Sequence, residues 1–373
     1  MCVIPDSSEK IVIALSGGVD SSVTALLLKQ QGYDLQALFM KNWEGDDRPG
    51  YCAAEADVAD ALQVCETLGI ALNTVNLSRA YWDAVFSRFI EEYAAGNTPN
   101  PDVLCNQSIK FDAFVDEILK LGAERVATGH YARIDNIDGR YRLLKAVDKN
   151  KDQSYFLCRL GQAQLARTLF PLGEITKPEV RLLAEQAGFI THNKKDSTGI
   201  CFIGERDFRE FLATYIPARP GEIHAPEGRV IGEHHGVMFY TLGQRQGLNI
   251  GGVRGMPDTA WYVIAKDLTS NVLTVAQGHD HPMLFSSAVE ANEVHWISAE
   301  SPALPLTCQA KIRYRQADQT CRVSALENNR LQIEFAQPQR AATPGQYAVF
   351  YQGDECLGST RIDKILPNDA ADL

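Results

Sequence analysis

Ser16-Gly17-Gly18-Val19-Asp20-Ser21-Ser22 combines two adjacent glycines with three serines and one aspartate. Ahead of it stands Ile11-Val12-Ile13-Ala14-Leu15, a short apolar run rich in branched side chains. Behind it Val23, Leu26 and Leu27 recur at helical spacing. This is the pattern of a buried strand, a tight glycine turn and an opening helix. The glycines let the backbone approach an anion closely. The serines add hydroxyls, and the helix start adds N–H groups without intrahelical acceptors. The product is a cradle for a phosphate group, with Ala14, Leu15, Ser16, Gly17, Gly18, Asp20, Ser21 and Ser22 as nucleotide-binding residues. It is not the dinucleotide glycine pattern, and it lacks the lysine of a Walker loop.

The same rhythm continues outward from this loop. Asp34 to Phe39 is a second apolar run, and Ala71 to Leu77 is a third strand. Residues 53–68 put Val58, Leu62, Cys65 and Leu68 on one helical face. Residues 80–94 carry Trp82, Val85, Phe86 and Phe89 at helical spacing, and residues 108–121 carry Phe111, Phe114, Val115, Ile118 and Leu119. Arg125 to Gly129 is a further short strand. The alternation predicts an α/β fold with an open, mostly parallel sheet. Such sheets bind ligands beyond the carboxyl ends of their strands. Met40-Lys41-Asn42-Trp43 reaches that edge, where Met40 or Phe39 either touches adenine or packs in the core. Thr128-Gly129-His130-Tyr131-Ala132-Arg133 reaches it too, and Gly129 joins the expected nucleotide-binding set. His130 either lines the pocket or is structural. It has no second ligand at useful spacing, so no protein-held metal is expected.

Two cysteines stand in unusual settings. Thr98-Pro99-Asn100-Pro101-Asp102-Val103-Leu104-Cys105-Asn106 is stiffened by two prolines. It presents Asp102 and Cys105 three residues apart, with Asn106 or Ser108 as cap of the following helix. A thiol at a helix N-terminus carries more thiolate; the competing reading is a buried small hydrophobe. Asp196-Ser197-Thr198-Gly199-Ile200-Cys201-Phe202-Ile203-Gly204 sets Cys201 between glycines, either as a travelling thiol or as a buried structural one. Between these stretches, residues 133–147 read as a hairpin around Asn136-Ile137-Asp138-Gly139. Residues 149–157 then offer Lys151, Asp152 and Gln153, which contact phosphate or base, or else cap a helix.

Beyond about residue 210 short strands and glycine turns replace the strand–helix alternation. The expected division is an α/β catalytic domain over 1–212, a small β-rich domain over 213–285 and a C-terminal antiparallel β-barrel over 286–373. Within the barrel, Thr307 to Arg315 reads as a strand whose Arg313-Tyr314-Arg315 alternates charge with a ring, as an RNA-facing strand would. Nine scattered cysteines, an odd number, suit a reducing, cytoplasmic setting better than a disulfide scaffold. No run approaches eighteen apolar residues, so no membrane is expected as partner. The net charge of −11 argues mildly against nucleic acid. Local bases at Lys311, Arg313, Arg315 and Arg322, or at Lys145, Lys149, Lys151 and Arg159, can outweigh it.

The loop Ser16 to Ser22 fits the S-G-G-x-D-S form of the ATP pyrophosphatase family, which has an adenine-nucleotide α-hydrolase-like sheet. Over essentially its full length the chain also resembles the bacterial tRNA-specific 2-thiouridylases of that superfamily. The matching stretches are 16–22, 98–106, 128–133, 151–157 and 196–204, with Phe239-Tyr240-Thr241-Leu242-Gly243-Gln244-Arg245 and Gly345-Gln346-Tyr347-Ala348-Val349-Phe350-Tyr351. The resemblance implies ATP- and Mg²⁺-dependent sulfuration at C2 of the wobble uridine in tRNAs for Lys, Glu and Gln. It implies that Cys201 carries a persulfide, that Cys105 releases the sulfur by forming a disulfide, and that Asp102 is a general acid or base. Lys151, Asp152, Gln153, Arg313 and Tyr314 would meet the tRNA. A persulfide-relay protein fed by a cysteine desulfurase would supply the sulfur. Direct persulfide attack and released hydrosulfide both fit. Two rival classes remain: an amidating relative, which needs no paired thiols, and a non-catalytic RNA-binding protein on an old enzyme fold.

Overall fold

The computed structural model describes residues 9–45, 47, 52, 54–196, 202–203, 206–251 and 259–366. Its first sheet is parallel throughout. The strands are β1 (Lys10–Ala14), β2 (Asp34–Lys41), β3 (Ala71–Asn76), β4 (Arg125–Ala127) and β7 (Thr168–Leu169), in spatial order β3-β2-β1-β4-β7. β1 is paired on both edges, with Ile11 opposite Leu35 of β2 and opposite Arg125 of β4. That central place explains why Ile11, Val12 and Ile13 are all fully buried: both faces of the strand are covered, so alternation gives way to a continuous apolar run. Strand order runs outward in opposite directions from β1. The switch point therefore falls at its carboxyl end, where the Ser16–Ser22 loop turns into α1 (Val19–Gln30).

α2 (Glu55–Leu68) covers the neighbouring face with Ala61, Val64 and Cys65 buried, while Leu62 is 48% exposed. The expected stripe through Leu62 is thus rotated by about one residue. Small Ala61, not Leu62, makes the close contact.

β8 (Gly221–His224), β9 (Val230–His234), β10 (Trp261–Asp267) and β11 (Val272–Gln277) form a second, mixed sheet in the order β10-β11-β8-β9. Only β11 and β8 run parallel.

The third sheet holds β12 (Phe285–Trp296), β13 (Leu306–Lys311), β14 (Gln319–Leu326), β15 (Arg330–Arg340), β16 (Tyr347–Gln352) and β17 (Glu355–Leu366). β12 pairs with β15 on one side and β17 on the other, so these six antiparallel strands close into a barrel. The sequence pattern names no strand over 285–296, the one that closes it.

A hairpin from the first half of the chain joins this sheet. β5 (Ala132–Ile137) and β6 (Arg140–Lys145) turn at Asp138 and Gly139, both with positive φ, and Glu355 and Cys356 of β17 pair with Leu144 and Leu143. The expected strand over Thr307–Arg315 ends at Lys311; residues 312–315 are bend and turn. Among the described residues no helix is long and apolar enough to cross a membrane.

Candidate active site

The Ser16–Ser22 loop is held by its own side chains. Ser21 Oγ and Ser22 Oγ both donate to the Gly18 carbonyl, at 3.0 and 2.9 Å, and Ser16 N donates to Ser21 Oγ at 3.1 Å. Ser16 Oγ also lies 3.2 Å from Ser21 Oγ, so all three hydroxyls take part in shaping the turn. The exposed Ser16, the uncapped first-turn N–H groups of α1 and the glycine backbone are left to face a ligand. Gly17 has φ +72° and its missing Cβ would sit 2.3 Å from the Asp57 carbonyl oxygen. No other residue fits there. A Cβ on Gly129 would lie 2.8 Å from Ser21 N, so the segment after β4 presses directly on the start of α1. Ala14 and Leu15 lead into the turn, with Leu15 N bonded to Leu38 O, and Met40 packs half-buried near the end of β2.

Two of the charges around the loop, Lys177 and Lys194, come from residues that the sequence pattern does not single out. Two further helices matter here, α3 (Pro101–Cys105) and α4 (Lys177–Gln186). Lys177, buried at the start of α4, donates to both Asp20 carboxylate oxygens at 2.6 and 2.8 Å and lies 2.8 Å from Asp196. Tyr131 Oη also donates to Asp20, at 2.8 Å. Lys194 Nζ binds the Gly17 carbonyl, Asp57 and Asp60. Asp196 gathers Lys151, Lys177 and Arg181. Burial works against its charge, yet Lys151 and Lys177 draw its carboxyl down to about 2. The only sequence sign of Lys177 is its place beside Pro178 at a helix start. Its partner Asp20 lies 157 residues away, in a place that no local pattern gives.

Asp102 and Cys105 lie one turn apart on α3. That helix begins earlier than expected. Asn100, extended before Pro101, is its cap and accepts from Val103 N, so neither Asn106 nor Ser108 caps a helix. Pro101 suits the first helical position because it has no N–H to lose. The chain continues as the wide turns of Asn106–Ala113 into the helix Phe114–Lys120. Cys105 is therefore buried inside a helix rather than at its N-terminus. Burial pushes the Asp102 carboxyl above its ordinary range, with Lys110 opposing. Full burial and the same Lys110 hold His130 neutral, well below the usual imidazole range, and His130 Nδ1 lies 2.8 Å from Thr128 Oγ1. Its ring packs on Phe111 at 5.8 Å. Segment 128–131 thus touches the nucleotide loop through Gly129 and the Asn106–Ala113 turns that follow α3 through His130.

Three distant stretches clamp the Thr98–Asn106 segment. Thr98 N donates to Pro344 O at 2.9 Å, Gln346 Nε2 donates to Thr98 O at 2.7 Å, and Thr98 Oγ1 meets Thr241 Oγ1 at 3.2 Å. Gly345, with φ +92°, approaches so closely that a Cβ would lie 2.9 Å from Thr98 N. Asn106 is buried; its Nδ2 donates to Phe156 O at 3.0 Å while its Oδ1 has no partner among the described residues.

The residues expected to meet nucleic acid gather beside this segment. Asp152 is buried and accepts from Ala146 N, Ser154 N and Ser154 Oγ. Gln153 Oε1 accepts from Tyr131 N at 2.9 Å. Both hold the turn that carries Lys151. Tyr314 packs on Phe156 at 4.4 Å between ring centres, and Arg313 donates to the Leu242 and Ala341 carbonyls. Lys145 is buried against Asp318 and Lys149 pairs with Asp354, so these two charges are matched locally, while Arg159 donates to the Glu293 backbone carbonyl.

Cys201 lies outside the described residues. Phe202 beside it is fully buried among Trp43, Tyr81, Phe86, Phe89 and Phe211, with ring centres 4.9–6.0 Å away. Among the described residues no group of three or more His, Cys, Asp or Glu side chains could cage a metal.

Residues 9–205 match the family model described as tRNA methyl transferase HUP domain, 209–277 the tRNA methyl transferase PRC-barrel domain, and 286–362 the aminomethyltransferase beta-barrel domain. The tRNA-specific 2-thiouridylase MnmA of Methylococcus capsulatus is 59% identical, over 95% of this chain and 96% of its own. Its counterpart in Shewanella amazonensis is 54% identical over 98% and 97%, and that in Salmonella arizonae 55% over 97% and 99%.

Proposed function

Because this chain belongs to the tRNA-specific 2-thiouridylase family, we propose that it moves sulfur onto C2 of the wobble uridine in tRNAs for Lys, Glu and Gln. It is a tRNA sulfurtransferase, and enzymes of this family use ATP and Mg²⁺. Two of the matching models are described in terms of methyl transfer; relatives more than half identical over nearly the full chain outweigh that description. The matched ranges support a division into units of 1–212, 213–285 and 286–373.

The residues present fit an adenine nucleotide. Gly17 and Gly129 leave room that a Cβ would fill, and the α1 N-terminus offers N–H groups. Asp20, within the cradle and oriented by Lys177 and Tyr131, is the carboxylate that would help hold Mg²⁺, and one or two carboxylates with phosphate oxygens are the usual Mg²⁺ shell. ATP supplies the adenylyl group that makes the uridine O2 a leaving group, and Mg²⁺ spreads charge on the departing pyrophosphate. Ser16 to Ser22 grips that pyrophosphate, with Lys177 and Lys194 balancing charge behind it. Asp102, whose carboxyl burial pushes above its ordinary range, takes or returns a proton beside the base. The unpartnered Asn106 Oδ1 suits the N3–H of a uridine, which a cytidine lacks. Cys201 brings the persulfide sulfur and Cys105 forms the disulfide that releases it, leaving a Cys105–Cys201 bond to be reduced. A persulfide-relay protein supplies the sulfur. Lys151, Arg313 and Tyr314 meet the tRNA, and Asp152 and Gln153 hold Lys151 in place. The setting is cytoplasmic, where that disulfide can be reduced again.

The observation that carries this reading is segment 128–131, which presses on the nucleotide loop through Gly129 and packs through His130 on Phe111, in the turns that continue from α3. Incubation with tRNA, ATP, Mg²⁺ and a sulfur donor, followed by mass spectrometry of the tRNA, is expected to show one oxygen replaced by sulfur at the wobble uridine. Cys201→Ser is expected to bind ATP but transfer no sulfur. Full thiolation by that variant overturns the scheme.

A further inference from the structure

Two thiols outside this chemistry face each other in the barrel. Cys308 on β13 stands directly opposite Cys321 on β14, in the register Thr307↔Arg322, Cys308↔Cys321, Gln309↔Thr320. Their sulfurs are 3.8 Å apart, and both side chains belong to the apolar barrel interior, 7% and 2% exposed. Two register pairs further on, the hairpin opens into residues 312–318. That turn carries Arg313 and Tyr314, and it holds Asp318 against Lys145.

We propose that Cys308 and Cys321 form a second, reversible dithiol–disulfide site, separate from Cys105 and Cys201, whose oxidant is a small-molecule disulfide and whose bond braces the hairpin carrying Arg313 and Tyr314. A disulfide needs its sulfurs at about 2.05 Å and its Cβ atoms within roughly 3.5–4.5 Å. Directly opposed residues of an antiparallel pair lie only slightly beyond that, at about 4.5–5.5 Å. Rotation about the two Cα–Cβ bonds and a small local closure of the strands suffice. The shared hydrogen bond lowers the pKa of Cys308, the more exposed of the two, and raises that of Cys321.

Cys308, the more exposed of the two cysteines, attacks as its thiolate. It displaces one thiolate from R–S–S–R and forms a mixed disulfide. Cys321 then displaces the second R–S⁻, and its proton leaves with that group. Two protein thiols and one R–S–S–R become one protein disulfide and two R–SH.

The test uses the wild-type full chain, incubated folded with glutathione disulfide, alkylated and digested after Lys and Arg. Cys308 falls in peptide 267–311 and Cys321 in 316–322. The expected product is these two peptides joined, lighter by two hydrogens and separated again by dithiothreitol. Mapping by peptide keeps it distinct from any Cys105–Cys201 bond. Amide exchange over 312–318 is expected to slow several-fold in the joined form. A link that forms only in urea, or separate glutathione adducts on each cysteine, overturns the site. Unchanged exchange in the joined form overturns the brace.

Discussion

Asp102 shows how burial sets chemistry at a single residue. Its carboxyl is pushed above the ordinary aspartate range by desolvation, and Lys110 only partly reverses this. Protonation therefore sets in at a higher pH than for an exposed aspartate, and the ionised fraction falls as pH drops through the raised value. If the carboxylate is the working form, kcat/KM declines along an acid limb that begins above the ordinary aspartate pKa. Asp102→Asn is expected to abolish that limb and to lower kcat by about 10²–10⁴-fold, with ATP affinity retained. Pre-steady-state thiolation across pH, alongside equilibrium ATP binding, checks both parts.

Elements matter here chiefly as clamps. Gly345, in the left-handed region and pressed on Thr98, fixes the segment that leads into α3. Gly345→Ala is expected to destabilise the protein by about 1–3 kcal/mol and to slow thiolation, seen in urea melts and single-turnover assays. Lys266 on β10 is a second clamp, donating from a half-buried position to the carbonyls of Gly96 and Tyr240. Burial draws its pKa down to about 8 from 10.5. Between those values the unfolded chain binds the proton more tightly than the folded one, so this residue makes stability fall as pH drops and rise with pH across that window. The rise is at most about 3 kcal/mol, and less to the extent that solvent screens the half-buried ammonium. Comparing denaturant unfolding of wild type and Lys266→Met from about pH 7.5 to about pH 10.5 isolates it, and the difference is expected to shift in the wild type's favour as pH rises.

The elements also show which parts of the site are legible in the sequence. The Ser16–Ser22 cradle is readable locally, because strand, glycine turn and helix start are neighbours along the chain. Asn100-Pro101-Asp102 carries a readable helix start too, although two prolines in one short stretch equally suit a stiff loop. Lys177, Lys194 and the Gly345–Thr98 contact depend on partners far along the chain, and no periodicity encodes them. Alternation running on past Lys311 predicts a strand through Arg313 and Tyr314. The ladder ends at Lys311 instead, and the backbone turns so that Tyr314 stacks on Phe156.

At the scale of the whole molecule, a net charge of −11 has to coexist with a polyanionic substrate. The bases near the site are mostly paired with local acids, so long-range attraction is weak and contact-range pairing must be strong. tRNA affinity is expected to fall log-linearly with salt. Lys151→Ala is expected to reduce the magnitude of that slope by about 1 and to weaken binding to cognate and non-cognate tRNA alike. Filter binding over a salt series measures both.

The hairpin Ala132–Lys145 finishes the barrel's sheet, yet Gly353, which receives the Lys145 ammonium, stands 208 residues downstream. On a ribosome adding about 5–20 residues per second, that gap is roughly 10–40 s. Throughout that delay the β6 edge that β17 will cover is bare, while the nucleotide loop is complete as soon as Lys177 and Lys194 are made. A nascent chain stalled before β17 would thus hold a finished phosphate cradle beside an unfinished substrate platform, and would need chaperone cover for the exposed strand.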